Sequence, residues 1–299
     1  MTVINTNISA LQAANASNMA AMMTAKSSQQ LSTGLKINSA ADNAAGLSIV
    51  NTMTSQINGM QQSVQNANDG ISLAQTAGGA LNEVTNMLQR IRQLAVQSSS
   101  GTYQASDRTS MQSEVSNLTQ QISSILNTTQ FNGIAVFAVT SGAPASNGSQ
   151  DATFQIQTGA DNSGSTGNTV TLDSVAFNGS TFFGTGNTAY SSASSTTQAL
   201  DVTSQSSAAT TITNVDAALG QVNATQSSLG AGQNRLQSVV NNLNTNITNL
   251  SSARSQIQDT DYSASTTQLA KSQILSQAST AMLAQANQSQ QNVLSLIKG

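Results

Sequence analysis

Few residues of this 299-residue chain could carry out acid–base or metal chemistry, and one close pair of carboxylates is the clearest candidate. Asp259 and Asp261 are separated by a single residue. Two such carboxylates can share a proton or hold a cation, but catalysis also needs a base, a nucleophile or a further ligand nearby. The flanking sequence supplies none of these. We therefore predict that the pair lies at a helix junction, where Asp caps a helix N-terminus.

Two other short motifs suggest ligand binding only faintly. Residues 66–70, NANDG, lack the ligand spacing of a calcium loop and the Glu that closes it, so we favour a local helix irregularity or a polar contact. Residues 184–187, GTGN, are too short for a phosphate loop and are interpreted as a turn. The chain has no Cys and no His, which excludes a thiolate nucleophile, an imidazole base and an ordinary zinc site. We predict that the protein is not an enzyme and has no catalytic residues, cofactor or metal.

Charge and hydropathy restrict the partners. Charged residues make up 7% of the chain, the net charge is -3, and no Lys/Arg-rich run could neutralise a phosphate backbone. No segment reaches the roughly 18 consecutive apolar residues of a membrane helix. Neither nucleic acid nor membrane insertion is therefore expected.

The first residues also lack the pattern of a cleavable secretion signal. Low charge leaves little repulsion between crowded copies, which favours a polymer.

The C-terminal third has the clearest helical periodicity. Thirteen positions are spaced alternately four and three apart, and ten of them are apolar. They are Val215, Leu219, Val222, Gln226, Leu229, Gln233, Leu236, Val240, Leu243, Ile247, Leu250, Arg254 and Ile257. A 3.5-residue repeat of this length predicts a coiled-coil seam of roughly 60 Å.

The N-terminal part carries matching stripes. One runs from Ile57 to Ala74, and after an expected break at Gly78 and Gly79 it resumes at Leu81. Asp107 is predicted to cap a third helix. Helices with such stripes are expected to form a bundle, either in a monomer or in a polymer.

The two extreme ends are predicted to be helices whose narrow apolar stripes make a poor core for an isolated helix. Our hypothesis is that they stay disordered in the monomer and fold by packing on one another during assembly. The residues predicted to pack in this inner core are Ile4, Ile8, Leu11, Met22, Leu275, Met282, Leu283, Val293 and Ile297.

The middle of the chain is rich in Gly, Ser and Thr. Residues 153–156 and 169–172 alternate apolar and polar side chains on either side of a turn-rich segment, which predicts a β-hairpin. Residues from about 178 to 198 are interpreted as a flexible or irregular surface segment. The predicted fold class is therefore mainly α: a long antiparallel helical coiled coil or bundle from both chain ends, with a small β-hairpin region between them.

Several long motifs at both ends, in the same order, resemble the bacterial flagellins. They are INTN (4–7), LSTGLKINSAADNAAGLSI (31–49), NANDGISLAQTAGGALNE (66–83), LQRIRQLAVQ (88–97), FNG (131–133), LDV (200–202), LGAGQNRL (229–236), NLSSARSQIQDTDY (249–262) and QILSQASTAMLAQANQ (273–288). The resemblance implies an inner coiled-coil filament core from residues 1–42 with 256–299. It implies a helical bundle from 43–135 with 200–255, and a β-hairpin and irregular surface segment at 136–199. The short middle is typical of a flagellin without a full outer domain.

The same resemblance implies a function and partners. The chain would polymerise as many copies into the extracellular flagellar filament for swimming motility, after export as an unfolded chain by the flagellar type III system. An export chaperone on residues 260–299, a filament cap and hook-associated proteins would be its partners. A host Toll-like receptor is a further possible partner, and the matching positions are Gln89, Arg90, Leu94, Gln97 and Glu114.

Three alternatives stay open at this stage. The chain could be a hook–filament junction protein, which shares the terminal arms but does not form long polymers. It could be a flagellin-like surface adhesin that uses its Ser/Thr-rich middle. Arg90 and Glu114 could also form an ordinary weak surface pair, or serve subunit contacts first and receptor recognition second.

Overall fold

The computed structural model describes residues 6–142, 150–160, 168–191 and 198–298, with side chains up to residue 292. Ile4 lies outside the described residues, and so do the side chains of Val293 and Ile297. The helices are α1 (Ile8–Thr33), α2 (Ala44–Ser99), α3 (Ala105–Thr128), α4 (Gly179–Phe183), α5 (Gln205–Gln258) and α6 (Tyr262–Lys298). The strands are β1 (Gln130–Phe131), β2 (Ile134–Ala135), β3 (Val139–Thr140), β4 (Ala152–Gln157), β5 (Thr169–Ser174) and β6 (Phe177–Asn178). The predicted fold class, mainly α with a small central hairpin, is confirmed.

The chain divides into two compact units. Met1–Ile57 with Thr248–Gly299 form the first, called here the terminal unit, and Asn58–Ile247 form the second, called the central unit. The long helices α2 and α5 contribute residues to both units.

In the terminal unit, α1 and α6 lie antiparallel. Asn7 at the start of α1 donates from its amide to the carbonyl of Ala286 at 3.2 Å, and the Tyr262 hydroxyl at the start of α6 donates to the carbonyl of Leu31 at 3.1 Å. The Asn7 side chain also caps α1, and Gly34 ends the helix with a φ of 71°, a left-handed conformation that glycine adopts without strain.

Small residues form the seam between α1 and α6. The buried positions recur every seven residues along each helix: Ala13, Ala20 and Ser27 on α1, and Ser265, Ser272 and Ser279 on α6. A seven-residue repeat keeps one face of each helix toward its neighbour, and short side chains let the two backbones approach closely. This seam leaves eight large apolar side chains of the pair exposed.

A short connection joins α1 to α2 within the terminal unit. The backbone N–H of Lys36 donates to the carbonyl of Gln258 at 2.6 Å, and Thr260 donates in return to Gly34 at 3.0 Å. Asp42 accepts the backbone N–H of Ser39 at 3.2 Å and forms a 3.0 Å ion pair with Lys26. These contacts hold the connection between α1 and α2 against the residues that precede α6.

In the central unit, long runs of α2 and α5 pack with α3 around an aliphatic core. Leu81, Leu88, Ile91, Ile122 and Leu236 are all fully buried there. This core confirms that the predicted apolar stripes face inward.

The expected helix break at Gly78 and Gly79 is wrong, because α2 continues through both glycines to Ser99. Each glycine costs a helix about 1 kcal/mol relative to Ala. Ala77 and Leu81 on either side are fully buried, and this tertiary burial outweighs the local cost. The predicted N-cap of α3 is also wrong: the cap position is Gln104, and Asp107 lies three residues later, where its carboxylate accepts the Gln104 N–H at 3.0 Å.

The β4–β5 hairpin is confirmed, with Phe154 opposite Leu172 and Ile156 opposite Val170. It packs where the helices have glycines. A Cβ on Gly232 of α5 would collide with Leu172, and one on Gly70 of α2 would lie 2.9 Å from Ile156. Because these two glycines have no side chain, the hairpin can pack closely against both helices.

The hairpin also explains a difference along α5. The predicted seam positions Leu219, Gln226 and Gln233 are only partly buried, whereas the small residues Ala218, Thr225 and Gly232 are buried. Thr225 additionally donates from its hydroxyl to the carbonyl of Val175 at 3.4 Å. From Ala208 to Leu236 the buried stripe keeps its alternation of three and four residues, but it passes through the small side chains on which the sheet rests.

Part of the predicted surface segment lies in the core. Phe177, Phe182 and Phe183 are buried, and the Phe177 ring meets those of Phe137 and Phe182 edge-on at 5.7 and 5.9 Å. The segment around α4 therefore differs from the prediction of an irregular surface, because an aromatic cluster anchors it.

Candidate functional site

Eight large apolar side chains of the α1–α6 pair are exposed and lie on a common side, whereas Leu31, Leu269 and Leu283 are half-buried. We call the exposed set the apolar face. Its members are Ile8, Leu11, Met19, Met22 and Met23 on α1, and Ile274, Leu275 and Met282 on α6. At 100° per residue, each helix confines its members to an arc of roughly 120°, displaced in the same rotational sense from the small-residue seam. In an antiparallel pair, equal displacements place the two arcs on the same side of the pair.

The apolar face contains most of the residues predicted for inner-core packing. Met22 is 65% exposed and Met282 is 67% exposed, while Leu283 is half-buried. Sequence reasoning predicted these residues but not their position relative to the seam, because it treated the large side chains as the contact between the helices. Ile274 and Met23 were missed, although both belong to predicted helices and a helical wheel would have found them.

A second candidate surface lies on the central unit, where α2 carries two ion pairs. Arg90 contacts Glu114 of α3 at 2.7 Å, and Arg92 contacts Asp216 of α5 at 2.8 Å. The hydrogen bond from Arg90 to the Glu114 carboxylate, with their Coulomb attraction, raises the pKa of Arg90 above its usual value. Asp216 raises the pKa of Arg92 in the same way. Both pairs are exposed, so their main effect is to fix the side-chain geometry of the surface.

The predicted receptor-recognition residues are only partly on this surface. Gln89, Arg90 and Gln97 are exposed, and the Glu114 side chain is 44% exposed. Leu94 is buried in the core, where it supports the helix that carries the others. A shallow groove beside them is lined by Gln89, Arg92, Gln93, Val96 and Gln97.

A buried arginine, which sequence reasoning did not single out as a structural residue, holds the end of this surface in place. Arg108 of α3 donates from Nε to the carbonyl of Ser98 at 3.0 Å and from Nη2 to that of Ser100 at 2.7 Å. It thereby satisfies carbonyls at the C-terminus of α2, where a cation is favoured. Gln97 donates to the Tyr103 hydroxyl at 3.0 Å across the same loop.

The predicted chemical motifs have structural roles. Asp261 accepts the N–H groups of Ser263 and Ala264 at 2.8 and 3.2 Å, which confirms it as the N-cap of α6. Asp259 instead accepts the Ser255 hydroxyl at 2.6 Å. In NANDG, Asn66 donates to the carbonyl of Gln157 at 3.2 Å, which is the predicted polar contact. Within the described residues no helix is apolar over enough of its length to span a bilayer.

Comparisons with known proteins identify the family of the chain. The family model for the "Bacterial flagellin N-terminal helical region" matches residues 4–142, and that for the "Bacterial flagellin C-terminal helical region" matches residues 212–297. The chain belongs to the bacterial flagellin family. Both candidate surfaces lie within the ranges matched by the flagellin models, whereas the β4–β5 hairpin lies between them.

Two curated flagellins show the extent of the similarity. Flagellin B of Vibrio cholerae serotype O1 is 54% identical over 130 residues, which are 44% of this chain and 35% of that protein. Phase 1 flagellin of Salmonella naestved is 44% identical over 171 residues, 57% of this chain and 31% of that protein. The chain thus spans about a third of the length of these relatives. The crystal structure of Bacillus cereus flagellin is 29% identical, with a TM-score of 0.44, over 60% of this chain and 88% of that one.

Proposed function

We propose that this chain is a structural subunit that polymerises with copies of itself into an extracellular bacterial flagellar filament for swimming motility. The observation that carries the proposal is the apolar face. Eight large apolar side chains are exposed on one helix pair, while the seam of that pair is built from small residues. Exposed apolar patches of this kind mark interaction sites in soluble proteins.

A second copy is the partner that this surface fits best. The α1–α6 pair carries few charges, so neighbouring copies can approach without strong repulsion. Burial of Ile, Leu and Met side chains contributes roughly 1.5–3 kcal/mol for each fully covered side chain, before association costs. Contacts repeated along a polymer add up to a stiff tube. The chain-end residues 1–42 and 256–299 would form its inner layer, and 43–135 with 200–255 the surrounding bundle.

Family membership supports the remaining parts of the proposal. The chain would leave the cell unfolded through the flagellar type III system, with a chaperone on residues 260–299 covering the apolar residues of α6. It would assemble beneath a filament cap and next to hook-associated proteins. On the central unit, the exposed Gln89, Arg90, Gln97 and Glu114 would be available to a host Toll-like receptor.

The test is assembly of purified subunits, started with salt or with filament seeds and followed by electron microscopy. The wild-type chain is expected to form long tubes. The double variant Leu11→Gln/Ile274→Gln removes apolarity from both helices at exposed positions, so its subunit keeps the wild-type circular dichroism but does not elongate. A matched control, Leu11→Met/Ile274→Leu, keeps the positions apolar and is expected to assemble. Normal tubes from the glutamine variant, or none from the wild type, would contradict the proposal.

A further inference from the structure

The described methionines differ in exposure, and Met53, on the part of α2 that belongs to the terminal unit, is half-buried. Those with exposed side chains all belong to the apolar face of the terminal unit: Met19, Met22, Met23 and Met282. In the central unit, Met60 and Met111 are buried and Met87 is packed against the core. Half of the apolar face is therefore built from thioethers that solvent can reach.

Thioethers are the readily oxidised sulfur groups of this protein, because the chain has no Cys. With hydrogen peroxide, the lone pair of the methionine sulfur attacks one peroxide oxygen, the O–O bond breaks, an S–O bond forms and water leaves. The sulfur loses two electrons and the peroxide gains them. The product, methionine sulfoxide, is polar, and sulfoxide reductases return it to the thioether.

Oxidation would change the apolar face without opening the helix pair beneath it. The seam consists of Ala and Ser side chains, which peroxide leaves intact. Met23 already accepts a weak hydrogen bond from the Gln268 amide of α6, with 3.9 Å between nitrogen and sulfur. A sulfoxide oxygen at this position is a stronger acceptor for the same donor, so the pair is retained. The aliphatic neighbours Ile8, Leu11 and Ile274 do not react.

We propose that Met19, Met22, Met23 and Met282 form a reversible oxidation site, at which peroxide makes the apolar face polar and prevents association of the subunits. The inference rests on the proposed self-assembly, since it needs the apolar face to be buried between copies. Peroxide would act on free subunits, in which these thioethers are exposed.

The first measurement maps the reaction. Full-length subunits are treated with hydrogen peroxide under native conditions, and peptides are quantified by mass spectrometry over time. We expect the four exposed methionines to be oxidised roughly tenfold or more faster than Met60 and Met111, because reactivity follows exposure. Equal rates at exposed and buried methionines would overturn the selectivity on which the proposal depends.

The second measurement tests assembly. Seeded elongation of the oxidised subunits is expected to fall by roughly tenfold or more, and to recover after treatment with methionine sulfoxide reductases. Failure of the untreated chain to elongate overturns the proposed function and, with it, this inference. Normal elongation of the oxidised chain, or no recovery after repair, overturns this inference alone.

Two variants locate the effect. The quadruple variant Met19→Leu/Met22→Leu/Met23→Leu/Met282→Leu keeps the face apolar and is expected to elongate equally well with or without peroxide. If peroxide stops this variant as it stops the wild type, the four methionines are not the site.

The matched control is Met60→Leu/Met111→Leu, which removes thioethers from the core of the central unit. It is expected to remain as sensitive to peroxide as the wild type. Loss of sensitivity in this control would place the effect in the central unit and contradict the proposal. Recovery of elongation after reductase treatment tests the same oxidation site without any substitution in the chain.

Discussion

The two units use large and small side chains in opposite ways. In the central unit, Leu and Ile residues fill the interior, and small residues occur where the β4–β5 hairpin rests on the helices. In the terminal unit, small residues fill the interior of the helix pair and the large apolar side chains are outside. The central unit therefore gains its stability from its own core, while the α1–α6 pair leaves its eight largest exposed apolar side chains outside the seam.

The largest difference is expected when a leucine is truncated in each unit. Leu236→Ala removes a fully buried side chain from the central core and should lower the free energy of unfolding by about 3 kcal/mol. Leu11→Ala, at a position 57% exposed, should change the stability of the free subunit by less than about 0.5 kcal/mol. Urea unfolding followed by circular dichroism measures both. Comparable losses would mean that the two units do not differ as described.

The next effect tests the small residues under the hairpin. Gly232→Ala places a Cβ against the buried Leu172 and should destabilise the central unit by roughly 1–3 kcal/mol. On the same helix, a Cβ added to Gly220 would meet no atom within 4 Å, so Gly220→Ala should stabilise by about 0.5–1 kcal/mol through helix propensity. Thermal unfolding of the two variants gives the comparison. Effects of the same sign would show that the hairpin does not need the glycine.

The smallest effect concerns the charged contact of the terminal unit. The hydrogen bond from Lys26, together with the backbone N–H of Asn38, lowers the pKa of Asp42 below its usual value. The contribution of Asp42 to stability is therefore present above the unfolded pKa of about 3.9 and is lost as the pH falls through the lower, folded pKa. Titration followed by carboxyl NMR should show this lowered pKa.

A lysine substitution checks the cause of that shift. Lys26→Gln should move the pKa of Asp42 back toward its usual value, because the strongest contribution is removed. Lys36→Gln is the matched control, since Lys36 is an exposed lysine of the same unit for which no ion pair occurs among the described residues. A pKa of Asp42 that is unchanged in the first variant would assign its shift to the backbone hydrogen bonds instead.

Periodic features of the chain were predictable, and features that depend on small residues were not. The positions of α3, α5 and the β4–β5 hairpin follow from the spacing of apolar residues and from turn composition. The continuity of α2 through Gly78 and Gly79 did not, because local propensity is weaker than burial of the neighbouring Ala77 and Leu81. The burial of Gly232 could not be predicted either, because glycine has no side chain to contribute to an apolar pattern.

The same distinction holds for the candidate surfaces: their residue types could be predicted from the sequence, and their contacts could not. Charges are so rare that Arg90 and Glu114 could be singled out from the sequence, but their direct contact is a tertiary fact. Leu94 lies four residues after Arg90 in the same motif, yet its side chain is buried, and this burial is decided by the packing of the neighbouring helices. The ion pair between Lys26 and Asp42 joins residues in different elements, and sequence spacing does not indicate it.

By itself, the sequence determined which helix faces are apolar and which positions repeat every seven residues. It also determined that the chain has no Cys and no His. Tertiary structure decided which repeating face is buried. On α1, the large residues and the small residues each form a regular stripe, and periodicity alone cannot choose between them. Close approach of α6 selects the small stripe, because short side chains allow more backbone contact, and this choice leaves the apolar face exposed.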